Sequence, residues 1–255
     1  VLGHRGLLGK QVSSYLKAHG KFVVTTNLRW PEFEFLEFVK KFEGIIVNCA
    51  GSIPQSGSED YSINYELPLF MLKNGKSVVQ PDTDCVFSGK IDFDKSYEKT
   101  CLMDATGPYA ESKIKFNIES ENYNDTLRII RTSIIGFDSS NKSLLSWFLN
   151  TADNAGECSG YTNHLWNGIT TLQWSKISKR VIDDWYGFER LTQIGSNRVT
   201  KYELLLLFSS IFEKPCSINP VSTEERINKC LKSDTEMPNL ETQIRELKLW
   251  RSKIK

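Results

Sequence analysis

Gly3-His4-Arg5-Gly6-Leu7-Leu8-Gly9 is the stretch on which the fold turns. Its three glycines permit a tight turn and a close approach of backbone, and a helix opens directly behind them. Leu8, Val12, Tyr15 and Leu16 recur at helical spacing over residues 7–18, and Gly20 follows as a stop. At the start of such a helix the backbone N–H groups and the positive end of the dipole face outward, an arrangement suited to a pyrophosphate. A glycine triplet alone is also an ordinary tight turn, so the rest of the chain has to decide. The chain starts at Val1-Leu2, without methionine, where a full strand is expected before the turn; the first strand reads as truncated.

Outward from the turn, strand and helix patterns alternate. Residues 22–26 read as a buried strand, 31–41 as a helix with Pro31 in its first turn, and 44–48 as an apolar strand. A helix near 61–72, a strand at 77–79, a helix over 109–121 and a strand over 126–131 follow. This is the rhythm of an α/β protein with a Rossmann-like, doubly wound parallel sheet. After Gly136 it breaks into Ser/Asn-rich chain and an aromatic-rich stretch, with helices expected over 201–212 and 239–250. Residues 1–136 are therefore assigned to a cofactor-binding Rossmann domain. Residues 137–255 form mostly a small substrate-binding lobe, with some segments returning to the sheet.

Bulk composition narrows the function classes. Lys and Arg number 32 against 31 Asp and Glu, so no overall field draws the chain to nucleic acid or to an anionic membrane. An anionic ligand has to be held locally. The six cysteines include no C-x-x-C pair and only three histidines accompany them, which argues against a zinc site. No apolar run approaches the length of a membrane span and the start does not read as a signal peptide; the expected compartment is the cytoplasm.

Two groups of residues carry chemistry. Residues 22–26 end in Thr26-Asn27-Leu28-Arg29, where an NAD-selective fold places a carboxylate against the ribose 2′-OH, and no acid stands there. Arg5 and Arg29, with Asn27 between the strand and Arg29, suit an adenosine 2′-phosphate, which favours NADP(H) over NAD(H); Arg29 as a solvated loop residue is the plain alternative. Cys49-Ala50-Gly51 offers small residues where backbone passes close to a cofactor, though a routine strand exit looks the same. Tyr109 and Lys113 stand four apart and share a helix face. A neighbouring ammonium and a cationic nicotinamide ease proton exchange on the phenol, and the lysine also holds ribose hydroxyls. Thr83 adds a hydroxyl to orient a substrate carbonyl beside Tyr109. An isolated Y-x-x-x-K means little; its place after the glycine turn, Asn48-Cys-Ala-Gly51 and Thr83 gives it weight.

Together these pieces resemble the extended short-chain dehydrogenases/reductases, and most of all the dTDP-4-dehydrorhamnose reductase (sugar nucleotide-binding) family. The resemblance runs over nearly the whole chain. It is carried by residues 3–9, 48–51, Asn64, Thr83-Asp-Cys-Val-Phe-Ser-Gly89, Pro108-Tyr-Ala-Glu-Ser-Lys113 and Arg131-Thr-Ser-Ile-Ile-Gly136, and further on by Gly160-Tyr-Thr and Trp166-Asn-Gly-Ile-Thr-Thr-Leu172. It implies a cofactor site at Gly3, Arg5, Gly6, Leu7, Leu8, Gly9, Asn27, Arg29, Cys49, Ala50, Gly51, Asn64, Tyr109 and Lys113. It also implies a nucleotide-sugar substrate and NADPH-dependent reduction of its 4-keto group, in the setting of polysaccharide biosynthesis. A homodimer is left open. Dehydratases among the relatives carry Asp-Glu after the threonine; here Asp84-Cys85 stands there, which favours simple reduction. The alternatives are a nucleotide-sugar epimerase and a non-catalytic NADP-binding regulatory subunit resembling the β subunit of methionine adenosyltransferase.

The chain leaves the family pattern at Pro81-Asp82, where serine normally precedes the threonine, and in a segment before Thr83 shorter by about four residues, roughly one helical turn. A proline in a central strand removes a donor, and a carboxylate at this place must be solvated or paired. Tyr161, Trp166, Trp174 and Trp185 are candidates for stacking on a base, or core residues.

Overall fold

The computed structural model describes residues 1–57, 59–138, 141–154 and 156–253. In chain order the elements of the first half are α1 (Leu7–Ala18), α2 (Phe33–Lys41), β1 (Ile45–Val47), α3 (Ile63–Lys73), β2 (Ser77–Asp82), α4 (Pro108–Glu119), β3 (Leu127–Arg131) and β4 (Ile134–Ile135). The second half continues with α5 (Leu144–Asp153), β5 (Glu157–Tyr161), β6 (His164–Trp166), β7 (Ile169–Thr170), α6 (Thr171–Asp183) and β8 (Leu191–Gln193). It ends with β9 (Val199–Thr200), α7 (Lys201–Phe212), β10 (Ser217–Val221), β11 (Ile227–Asn228) and α8 (Leu240–Lys253). They form two compact units, residues 1–86 with 105–131 and 175–192, and residues 87–104 with 132–174 and 193–255.

The first unit is built on a sheet of order β1-β2-β3-β8, with β1, β2 and β3 parallel. Strands covered on both faces read as continuous apolar runs, and all five residues of β3 are buried. Phe35 and Val39 of α2, Leu67 and Met71 of α3, and Val78 and Ile129 of the sheet join one buried cluster. This α/β arrangement with its parallel sheet is the one expected.

Three local differences from the sequence pattern have physical reasons. Residues 22–26 form no strand, and Phe22 is 96% exposed. A strand needs a ladder of repeated backbone bonds, and among the described residues this segment has a single one here, from Val1 N to Val24 O at 2.7 Å, while Leu2 makes one parallel bridge to Asn48. Helix α4 begins at Pro108, one residue early, because proline at the first helical position loses no bond and presets φ. Strand β2 runs on to Asp82, through Pro81.

Pro81 is accommodated by the alternation of a parallel ladder. Val78 N–H points to the β3 side, to Thr126 O, and Val79 O points to the β1 side, to Asn48 N–H. Pro81 repeats the direction of Val79, so its nitrogen lies on the β1 side, beyond the end of β1 at Val47. The β2–β3 pairing, Pro81 opposite Ile130, is intact.

In the second unit β10 runs parallel to β5, β6 lies between β11 and β9, and β4 pairs with β7. Helix α7 starts on a reciprocal capping box between Thr200 and Glu203. Trp166 and Trp174 are 2% and 0% exposed and belong to the core. Tyr161 is exposed and stacks on His164 with ring centroids 4.4 Å apart. Trp185, counted with the first unit, donates its indole N–H to Asp125 O at 2.7 Å. Among the described residues no helix is long and apolar enough to cross a membrane.

Candidate active site

Every residue expected to bind cofactor or act in catalysis lies in the first unit. The glycine turn is closed by Gly6 N–H donating to Gly3 O at 2.9 Å. Gly3 has φ +66, and a Cβ there would stand 2.6 Å from Cys49 O. Gly6 is the N-cap of α1 and supplies no side-chain cap, so the first-turn N–H groups of Leu7, Leu8 and Gly9 have no acceptor within their helix. On the outer side the turn is open, since a Cβ on Gly6 would meet nothing nearer than Gly3 O at 3.4 Å. These features fit the pyrophosphate of a dinucleotide.

Gly9 is where the helix packs down on the turn: a Cβ there would stand 2.2 Å from Gly3 O. Backbone cannot yield as a flexible side chain does, so Gly9→Ala is expected to cost about 1–3 kcal/mol as overpacking. Urea unfolding measures this, and a variant within about 0.5 kcal/mol of wild type would show that α1 and the turn are not in this contact.

The other predicted cofactor residues differ in what they present. Arg5, Asn27 and Arg29 are exposed, whereas the Leu8 side chain is in the core and leaves only its N–H for the site. Cys49 N–H donates to Leu2 O at 3.1 Å, and Ala50 N–H to Asn48 Oδ1 at 3.2 Å. Burial pushes the Cys49 thiol up to about 12, which leaves a small neutral wall rather than a nucleophile. Asn64 is buried and fully engaged: it accepts from Ser52 N–H at 2.8 Å and donates to Ser52 O at 2.9 Å and Ser112 Oγ at 3.1 Å. Its side chain acts on the site as a brace for the loop after Gly51. Beside that loop is a cleft with Trp30, Pro31 and Ile63 on its apolar side and the carboxylates of Asp60 and Glu66.

Thr83 follows β2, and Tyr109 and Lys113 project from α4. The structure brings the three together. The Thr83 hydroxyl lies close enough to the Tyr109 phenol to act on its acidity. Thr83 Oγ1 also accepts from Cys85 N–H at 3.1 Å and donates to Asp84 Oδ1 at 3.2 Å. The Tyr109 ring meets the edge of Tyr61 at 5.8 Å. Burial holds the Tyr109 phenol well above its ordinary value; Cys85, Asp82 and Asp84 add to this and the nearby Thr83 hydroxyl opposes it. The direction of this shift favours the protonated phenol. Lys113 is buried and pushed down by desolvation, with Asp82 and Cys85 acting against that.

Asp82 is not solvated but paired. Arg131 Nε donates to Asp82 Oδ2 at 2.7 Å, and both side chains are 1% exposed. Asn117 Nδ2 donates to the same oxygen at 3.2 Å and Arg131 Nη2 donates to Asn117 Oδ1 at 3.0 Å. Ser112, Asn117 and Arg131 were not foreseen in these roles. The signal for Asn117 was present: Tyr109, Lys113 and Asn117 follow one another at intervals of four along one helix face. Nothing in sequence announces the pairing of Asp82 with Arg131. Among the described residues, no group of three or more His, Cys, Asp or Glu is placed to hold a metal.

No family model matches the chain. No curated protein matches it by sequence. Solved structures match it in three dimensions. A dTDP-4-dehydrorhamnose reductase from Clostridium acetobutylicum superimposes with a TM-score of 0.82 at 16% identity, covering 98% of each chain. The dTDP-4-dehydrorhamnose reductase of Bacillus anthracis in complex with NADP gives 0.79 at 14%, over 98% of this chain and 96% of that one. A dTDP-glucose 4,6-dehydratase from Streptomyces venezuelae with NAD bound gives 0.78 at 15%, over 99% and 96%. At such identities the likeness is one of fold, and what this chain shares with them is the Rossmann-like α/β fold built on a parallel sheet.

Proposed function

We propose that the chain is an NADPH-dependent reductase acting on the 4-keto group of a nucleotide-linked deoxysugar. The observation that carries this reading is the convergence of Thr83 and Tyr109, close enough for the threonine hydroxyl to act on the phenol, with buried Lys113 one helical turn beyond Tyr109. When bound, a reduced nicotinamide supplies the hydride. The protein's part is to hold the keto oxygen between the Thr83 and Tyr109 hydroxyls, and Tyr109, kept protonated by its burial, gives the proton to the developing alkoxide. Lys113 would hold ribose hydroxyls and stabilise the phenolate left behind. Cys85 in place of a dehydratase glutamate leaves no second carboxylate for water elimination, which supports reduction. Residues 1–136 are read as the cofactor domain and most of 137–255 as the substrate lobe.

Following NADPH absorbance with a panel of 4-keto nucleotide sugars tests the reading. Net oxidation by wild type supports a reductase. An epimerase returns the hydride and shows none with a non-keto sugar that it converts, and a regulatory subunit binds NADPH tightly without oxidising it. Either result would overturn the proposal.

The preference for NADP(H) rests on Arg5 and Arg29, against the carboxylates of Asp60 and Glu66 in the neighbouring cleft. Arg29→Ala is expected to weaken NADPH about tenfold, the worth of one charge-assisted contact, and to leave NADH unchanged. Fluorescence titration with both nucleotides reads this. Tighter binding of NADH by wild type would assign the ribose to the carboxylates instead.

A further inference from the structure

Arg131, Asp82 and Asn117 close a ring of three hydrogen bonds in which each residue is bonded to the other two. They come from three elements, the last residue of β3, the last residue of β2 and the third turn of α4, and all are buried. The ring touches the catalytic positions twice. Asp82 is followed directly by Thr83, and Asn117 Nδ2 also donates to Lys113 O at 2.9 Å. Asp82 Oδ1 is buried and has no donor among the described residues, so one carboxylate oxygen is not consumed by the ring. A buried ammonium requires a counter-charge, and the Asp82 carboxylate is a charge that supports Lys113 against its desolvation.

We infer that Asp82 is a positioning residue of this site, whose carboxylate, anchored by Arg131 and Asn117, supplies a counter-charge behind Lys113 and fixes the helical turn that carries it. As a role in catalysis this rests on the reductase reading; as electrostatics it stands on the ring itself. The groups facing Lys113 and Tyr109 are Asp82 from β2, Asp84 and Cys85 from the turn after it, Arg131 from β3 behind Asp82, and Tyr61 against Tyr109. Removing the Asp82 charge takes support from the Lys113 ammonium and leaves the Arg131 charge less compensated behind it. Both effects lower the pH at which Lys113 loses its proton, and the loss of Asp82 lowers that of Tyr109 as well.

The test is the pH profile of Lys113 acylation by acetic anhydride, read by peptide mass spectrometry on the whole protein without nucleotide or substrate. In Asp82→Asn the midpoint is expected to fall by about one pH unit or more, the usual size of a lost opposite charge. Exchanging the two groups, in the double variant Asp82→Asn with Asn117→Asp, rebuilds the ring with its carboxylate on α4 and is expected to restore most of the shift. Asn117→Asp alone adds a carboxylate and is expected to raise the midpoint, which keeps the test alive if Asp82→Asn does not fold. Unchanged midpoints in Asp82→Asn, or in Asn117→Asp where the first is not obtained, would overturn the inference. NADPH binding by wild type is measured separately: its absence counts against the reductase reading, while the lysine profile still decides the role of Asp82.

Discussion

Tyr109→Phe is expected to lower the rate of keto-sugar-dependent NADPH oxidation by about a thousandfold, within the range general acid catalysis covers, and to leave NADPH affinity within about threefold. The substitution removes one oxygen. The phenylalanine ring keeps its contact with Tyr61, and the Tyr109 backbone O that accepts from Ser112 Oγ at 2.7 Å is unaffected, so α4 and Lys113 stay in place. What disappears, on the proposed reading, is the proton donor and one of two groups holding the keto oxygen. A thousandfold corresponds to about 4 kcal/mol of transition-state stabilisation, more than one neutral hydrogen bond supplies, so an effect of that size means that a proton is transferred and not only that an oxygen is oriented. Thr83→Val, by contrast, removes orientation alone and belongs nearer tenfold to a hundredfold. If Tyr109→Phe retains more than a tenth of wild-type kcat, the acid is another group. The buried Asp84 beside Thr83 would then be the first to examine.

How much of this was legible in the sequence follows from which interactions are local. Helices α1 and α7 have the predicted bounds because their limits are set within a turn of chain, by Gly6 and Gly20 for one and by the Thr200–Glu203 cap for the other. The Y-x-x-x-K line on α4 and the glycine turn were legible for the same reason. Residues 22–26 misled because an apolar run specifies a strand only where a neighbour supplies a ladder, and that neighbour is not a local property. Pro81 misled in the opposite sense: its cost depends on which side of the strand its nitrogen faces and where β1 stops. The ionic ring joins residues 35 and 49 positions apart in sequence, and no periodicity encodes such a pairing. Asp82 looked like a defect in the motif only while Arg131 was out of view.

Arg131→Met is expected to destabilise the protein by about 3–5 kcal/mol, the usual cost of stranding one member of a buried ion pair. Methionine fills much of the arginine's volume, so little of the loss comes from a cavity. The carboxylate of Asp82 would keep only the Asn117 amide, in a place 1% exposed to solvent. Urea unfolding followed by circular dichroism measures the loss, and a variant within about 1 kcal/mol of wild type would show that the pair contributes no more than a surface bridge. The double variant Asp82→Asn with Arg131→Met removes both charges and leaves an amide with which Asn117 can bond, so more than half of the loss should return. Stability and function then come apart. Replacing a buried ion pair by neutral groups is often harmless to stability, so if the double variant folds as firmly as wild type, the pair is not retained for the fold. The charge that it places beside Lys113 is what remains to account for it, and a stable double variant whose Lys113 loses its proton at lower pH would establish that division.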